Sequence, residues 1–210
     1  DVCSSDLLSS LLLLHTHLSL ILTLLAPSYT SPLLYHLLGP RWSASSAPVI
    51  LRAYCFYLPF LAINGITEAF FQSVASGFWL RRGSLWMGAC SVGFIGAVVA
   101  GVKAGMGETG LVYANCVNMS MRIAFSSLFI RSFFVEATAK VGLSKGEEEE
   151  VWRNVGWRSW MPKVGTLGVF GAAWMAVKWS EERWDWRTVG GLGRHVGVGA
   201  VAGIACLGVM

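Results

Sequence analysis

Two groups of polar residues interrupt apolar stretches of this sequence, and their side chains are the best placed to do chemistry. Asn64 and Glu68 are four positions apart, and Asn115, Asn118 and Arg122 follow one another at spacings of three and four. Residues at these spacings share one face of a helix. The sequence therefore predicts two polar stripes that pair through Glu68 and Arg122. Such a pair could line a cavity for an anionic or sugar-bearing substrate.

The same stripes also fit a purely structural role. A guanidinium at the middle of a bilayer costs at least ~2.5 kcal/mol on insertion scales. Arg122 is therefore expected to have a polar partner or to face a water-filled cavity. An interhelical clamp between polar side chains meets this requirement in any helical bundle. The two interpretations do not exclude each other, and both direct Arg122 toward neighbouring helices.

The composition indicates that these stripes lie on membrane helices. Hydrophobic residues make up 54% of the chain and charged residues 13%, whereas a soluble domain has about a quarter charged residues. The mean hydropathy is +0.57. The apolar runs are continuous and do not alternate with period two, which favours helices over a barrel. We therefore predict an all-α, polytopic transmembrane helix bundle in a lipid bilayer.

The apolar runs predict a single transmembrane domain over residues 1–210 with about six spans, each near the length that a bilayer requires. The spans cover roughly residues 7–26, 49–74, 85–102, 111–130, 164–179 and 192–210, and Pro59 is expected to kink the second. A charged segment, residues 131–163, follows the fourth span. Its side of the membrane carries slightly more Lys and Arg than the other side, which places it in the cytosol.

Several function classes have no support in the sequence. The net charge of +4 is spread over loops, so no nucleic-acid partner is predicted. No phosphate-binding glycine loop, nucleophile motif or paired-carboxylate site is present, so we predict no enzyme and no cofactor. The histidines and cysteines lack the spacing of metal ligands, so no metal is predicted, and the histidines are interpreted as hydrogen-bonded polar residues.

Three stretches resemble one family of membrane proteins. Tyr54–Ser76, which reads YCFYLPFLAINGITEAFFQSVAS, resembles the Rft family, and so does Gly110–Ile123, which reads GLVYANCVNMSMRI. Ser31–Tyr57 is similar to the loop into the following span in the fungal members. The resemblance covers roughly residues 25–131, and after Ser132 it rests on hydropathy and the order of spans.

The resemblance implies a fold and implies that the chain is part of a longer protein. Rft proteins are similar to the multidrug/oligosaccharidyl-lipid/polysaccharide exporters, which have about fourteen helices in two lobes. By this resemblance the chain is a C-terminal fragment that forms part of the second lobe. Its missing partner is the N-terminal lobe of the same protein.

The resemblance also implies a function. A multi-pass protein of the endoplasmic reticulum membrane would help move the dolichyl-diphosphate oligosaccharide Man(5)GlcNAc(2)-PP-dolichol from the cytosolic to the lumenal leaflet for N-glycosylation. The two polar stripes would line its cleft, and Arg122 or Arg52 would contact the diphosphate. One alternative is an ion-coupled multidrug-type exporter in which Glu68 carries a proton. Another is a non-transporting membrane scaffold of the glycosylation pathway.

Overall fold

The structure, a computed structural model, describes residues 2–142, 144–156, 158–159 and 161–209, and most of these residues are helical. No strand occurs in these ranges, which confirms the all-α prediction. In chain order the helices are α1 Val2–Leu25, a 3₁₀ helix Ala26–Tyr29, α2 Thr30–Leu38, α3 Pro40–Ser43, α4 Ala47–Val74, α5 Gly77–Lys103, α6 Thr109–Val141, α7 Lys145–Val155, α8 Val164–Arg183 and α9 Val189–Gly208.

Four helical segments are long and apolar enough to cross a membrane by length and composition. They are Cys3–Leu38, Ala47–Val74, Gly77–Lys103 and Val189–Gly208. These segments contain the first, second and third predicted spans and most of the sixth, residues 192–208 of 192–210, so the chain is a polytopic helical membrane protein. The fourth and fifth predicted spans lie within α6 and α8, and their crossing of the bilayer stays a prediction.

The helix ends differ from the span ends that hydropathy predicts. Helix α5 begins at Gly77 and not near Leu85, and α6 continues past Ile130 to Val141. A helix satisfies its backbone hydrogen bonds internally, so it does not have to stop where apolar side chains stop. Helix α6 ends at Val141 and is capped by Gly142, whose φ of 64° is the left-handed conformation that glycine adopts readily after a helix.

The chain divides into two compact units, and the first comprises residues 1–16 and 60–161. Its buried core is formed by side chains from α1, α4, α6 and α7, which are Leu8, Leu12, Phe71, Phe129, Ile130, Phe134 and Val151. Helices α5 and α6 also pack together closely, because Gly101 lies against the backbone of Gly110. This unit holds both polar stripes.

The second unit comprises residues 17–59 and 162–210. Helices α8 and α9 pack together in it, and its apolar core includes Phe170, Val177 and Cys206. Close to this core, His195 is fully buried. Its Nδ1 lies 2.6 Å from Ser180 Oγ, and its ring stacks on that of Tyr29 at a centroid distance of 4.4 Å. His195 is thus a hydrogen-bonded residue of the interior.

Gly83 of α5 allows close packing in the first unit, which gives a testable prediction. A Cβ built on Gly83 would lie 2.8 Å from Cζ of Phe71. The Phe71 ring is buried and is held by edge contacts with Phe125 and Phe129. We expect Gly83→Ala to lower the free energy of unfolding by about 1–3 kcal/mol, the usual cost of overpacking, measured by thermal unfolding in detergent.

The matched control for this substitution is Gly88→Ala on the same helix. A Cβ on Gly88 would meet no atom within 4 Å, so alanine is expected to be neutral or slightly stabilising there. Equal effects of the two substitutions would show that the Phe71 contact does not limit packing.

The charged segment contains α7, whose first turn is fixed by a capping box. The Ser144 backbone N–H donates to Glu147 Oε2 at 2.9 Å, and the Glu147 N–H donates to Ser144 Oγ at 3.4 Å. Two hydrogen bonds from Ser144 lower the pKa of Glu147 below its ordinary value. The bond from the Ser144 side chain has the larger effect and the bond from its backbone N–H the smaller. The capping box therefore stabilises α7 most when Glu147 is ionised.

The pH dependence of α7 follows from this shift. Because the pKa of Glu147 is lower in the folded chain, its contribution is complete above the ordinary carboxyl pKa and is lost as pH falls through the lowered value. We expect α7 amides to lose hydrogen-exchange protection on acidification, after correction for intrinsic rates. Glu147→Gln, which still accepts the cap bond, should remove this dependence. An unchanged pH profile in that variant would contradict the assignment.

Candidate functional site

The centre of the candidate site is an ion pair between α4 and α6 in the first unit. Arg122 Nη2 donates to both carboxylate oxygens of Glu68, at 2.7 Å to Oε1 and 2.6 Å to Oε2. The side chains of Arg122 and Glu68 are 26% and 14% exposed. The structure therefore brings together the two charges that the sequence stripes predict to pair, and it holds them in a mostly desolvated position.

Two amides on α4 complete the bonding of the Glu68 carboxylate. Asn64 Nδ2 donates to Oε2 at 2.9 Å, and Gln72 Nε2 donates to Oε1 at 3.3 Å. Gln72 is absent from the sequence prediction. The sequence spacing could have identified Gln72, because it lies four residues after Glu68 and so continues the stripe that begins at Asn64. Each carboxylate oxygen thus accepts two donors.

Only one nitrogen of the Arg122 guanidinium makes hydrogen bonds to the described residues. It contacts Glu68 through Nη2, while Nε is buried and has no hydrogen-bond partner among the described residues. Asn64 Oδ1 is likewise buried and unpaired in the described part of the chain. A buried polar atom without a partner costs about 1–3 kcal/mol. Among its buried atoms, the cluster therefore still offers one donor, the Arg122 Nε–H, and one acceptor, Asn64 Oδ1.

Aromatic side chains confine the space beside this pair. A small cavity of about 10 Å³ lies against Glu68 and Arg122 and is closed by Phe71, Trp86 and Phe125. Trp86 is fixed, since its indole N–H donates to the Met121 carbonyl at 3.0 Å and its ring stacks on Phe125. This volume is near the minimum for one water molecule. In this conformation the pair acts as an interhelical clamp.

The two asparagines on α6 are not part of the hydrogen-bond network around the ion pair. Asn115 is half-buried, and its amide donates to the Leu111 carbonyl of its own helix at 3.3 Å. Asn118 is half-buried one turn before Arg122, on the same helix face. Neither side chain bonds to the ion pair. Their role as cavity residues stays a prediction.

Arg52, the sixth candidate, belongs to the second unit. Its Nε donates to the Pro27 carbonyl at 3.2 Å and to Thr30 Oγ1 at 3.1 Å. Its Nη2 lies 3.7 Å from Glu181, which also accepts from Lys178 at 2.8 Å. Sequence reasoning missed Glu181, because α8 is remote in the chain from α4 and no local spacing links them. A diphosphate contact by Arg52 stays a prediction.

Comparison with known proteins assigns the chain to a family. The sequence model described as Rft protein matches residues 3–210. The chain belongs to the Rft protein family. It is 40% identical over 128 residues to the Man(5)GlcNAc(2)-PP-dolichol translocation protein RFT1 of Eremothecium gossypii, over 60% of this chain and 23% of that protein.

Further Rft relatives of the same name give a similar result. Those of Saccharomyces cerevisiae and Mus musculus are 37% and 35% identical, over 63% and 64% of this chain and 23% and 25% of their own lengths. The chain thus spans about a quarter of the length of the curated relatives it matches. No solved structure matches this Rft chain.

The polar cluster gives this Rft chain a defined chemical capacity. Guanidinium donors suit phosphate oxygens, because several N–H groups point outward from one plane. Arg122 is the only candidate on α6 that carries this group, and its Nε is unpaired in the described part of the chain. The amides of Asn64 and Gln72 supply further donors and acceptors of the kind that bind sugar hydroxyls. The site can therefore bind an anion or a polar headgroup if the space beside Trp86 widens.

Proposed function

We propose that this chain forms part of an endoplasmic reticulum membrane protein that moves Man(5)GlcNAc(2)-PP-dolichol to the lumenal leaflet for N-glycosylation. The proposal takes its substrate from the relatives' names. It takes its physical basis from the ion pair, since a headgroup that crosses a bilayer needs a polar path through an apolar medium. The rest of the protein, including an N-terminal lobe, would complete that path.

The partly used guanidinium of Arg122 is the observation that carries the proposal. Glu68 neutralises Arg122 through a single nitrogen, and Nε is left without a partner in the described ranges. A diphosphate can bind such a guanidinium through its remaining N–H groups without first breaking the ion pair. Asn64, Glu68, Asn115 and Asn118 would line the same path and contact sugar hydroxyls.

The geometry is less favourable for an ion-coupled exporter. In that mechanism Glu68 would bind and release a proton at each cycle. Each of its oxygens already accepts two hydrogen bonds, from Asn64, Gln72 and Arg122. A proton on either oxygen would displace one of these donors, so the cluster is better suited to holding a permanent charge pair.

Arg122→Lys in a full-length protein that carries this chain tests the proposal. Lysine keeps the positive charge and the pair with Glu68 but loses the planar set of donors. In cells depleted of the endogenous protein, we expect this variant to be made at normal levels and to reduce glycosylation-site occupancy of a reporter glycoprotein. The loss of one charge-assisted phosphate contact corresponds to roughly a tenfold slower translocation.

Two further variants separate substrate binding from clamping. Glu68→Arg combined with Arg122→Glu rebuilds the ion pair with its charges exchanged, so a clamp alone would be restored. Lys140→Gln removes a charge from an exposed part of α6 and serves as the control. Full glycosylation with both Arg122→Lys and the exchanged pair would contradict a role for Arg122 in substrate contact.

A further inference from the structure

The first unit contains a second, larger cavity that the proposed function does not use. Its volume is about 400 Å³, and it is lined by side chains of α1, α4, α6 and α7. The size falls within the range of small-molecule sites. Most of the wall is apolar, with Leu8 and Leu12 from α1 and Ile63 from α4. We call this space the Arg131 cavity, after the one charged residue in its described wall.

The polarity of the cavity changes along α6. Ile123, Ser127 and Arg131 follow one another at intervals of four and lie on one helix face. They span about 12 Å along the axis at the helical rise per residue. The wall therefore passes from an apolar end at Ile123 to a cationic end at Arg131.

Two hydrogen-bond donors at this cavity have no acceptor. Arg131 is exposed, and neither its guanidinium nor the indole N–H of Trp152 has a hydrogen bond or ion pair among the described residues. No Asp or Glu belongs to the described wall. The amide of Asn154, also in the wall, is occupied, because it donates to the Asp6 carboxylate. This end of the cavity therefore presents two free donors, one of them cationic, to which an anion can bind.

We propose that the Arg131 cavity binds an anionic phospholipid of the surrounding membrane. One acyl chain would lie along the apolar wall toward Ile123, and the phosphate would accept from Arg131 and Trp152. Basic pockets between transmembrane helices bind anionic headgroups in this way, and tryptophan prefers the headgroup level. This inference is independent of the proposed translocation, because it assigns a resident lipid and not the transported one.

Native mass spectrometry of the purified full-length protein tests the site, with phosphatidic acid and phosphatidylcholine of identical acyl chains as the added lipids. We expect the wild-type protein to bind phosphatidic acid more tightly. Arg131→Gln should weaken phosphatidic acid binding about tenfold, the factor for one lost charge-assisted hydrogen bond. It should weaken phosphatidylcholine binding less, because the choline cation offsets the charge of that lipid's phosphate.

Two variants distinguish this site from general surface charge. Lys140→Gln removes the same charge from the exposed end of α6, away from the cavity wall, and should bind phosphatidic acid like the wild type. Ser127→Phe fills the cavity and should weaken binding of both lipids. Equal losses in the Arg131 and Lys140 variants, or unchanged binding in the Ser127 variant, would overturn the proposal.

Competition with dolichyl phosphate identifies the kind of lipid. Phosphatidic acid that stays bound in its presence supports a resident phospholipid. Displacement of phosphatidic acid by an equimolar amount of dolichyl phosphate would assign the cavity to the transported class of lipid and overturn the inference.

Discussion

Replacing Arg122 with leucine in the full-length protein is expected to lower the free energy of unfolding by about 3–5 kcal/mol. The variant leaves the Glu68 carboxylate mostly buried, with its strongest donor removed. A buried charge without its partner is among the most destabilising changes in a protein. Chemical unfolding in detergent micelles measures the change, and the matched control is Lys103→Leu at the exposed end of α5.

The double variant Glu68→Leu with Arg122→Leu tests the physical reason for this loss. It removes both charges and leaves no unpaired ion, so it should be more stable than Arg122→Leu alone. Additive losses from the two single substitutions would show that Glu68 and Arg122 do not stabilise each other, and the clamp would then be disproved.

The second large effect is expected in the other unit, at Gly199 of α9. A Cβ built there would lie 2.6 Å from Cζ of Tyr29. The Tyr29 hydroxyl donates to the His195 carbonyl at 2.9 Å, so Gly199→Ala would displace a ring that is both stacked and hydrogen-bonded. We expect a loss of about 2–4 kcal/mol, from overpacking and one broken hydrogen bond.

Gly197→Ala provides the control for this substitution, since a Cβ at Gly197 would meet no atom within 4 Å. It lies on the same helix, so both variants change helix propensity equally. Thermal unfolding of both proteins gives the comparison. A stable Gly199→Ala variant would show that Tyr29 moves aside at little cost and does not fix His195.

The ion pair could be predicted from the sequence because its two partners are rare in apolar runs and have opposite charges. A charge inside a bilayer span nearly requires a partner, and few candidates exist. The same reasoning failed for Arg52, which pairs with Glu181 at the polar end of α8. Near helix ends many polar partners are available, so spacing alone does not select one.

The extent of the helices was harder to predict than their type. Hydropathy locates the apolar part of a helix, and Arg131 therefore marked the end of the fourth span. The backbone of α6 continues to Val141, and the charged residues after Ser144 form α7. The capping box of α7 is visible in the sequence as Ser144 followed by Glu147, so this helix could have been predicted from its cap.

Translocation by the reconstituted full-length protein is the most direct test of the central claim. Vesicles would carry Man(5)GlcNAc(2)-PP-dolichol in one leaflet, and a mannose-specific lectin would measure its arrival in the other. We predict faster arrival than in protein-free vesicles, with most of the gain lost in Arg122→Lys. A folded protein that supports glycosylation in cells but does not accelerate arrival would contradict translocation and favour a scaffold.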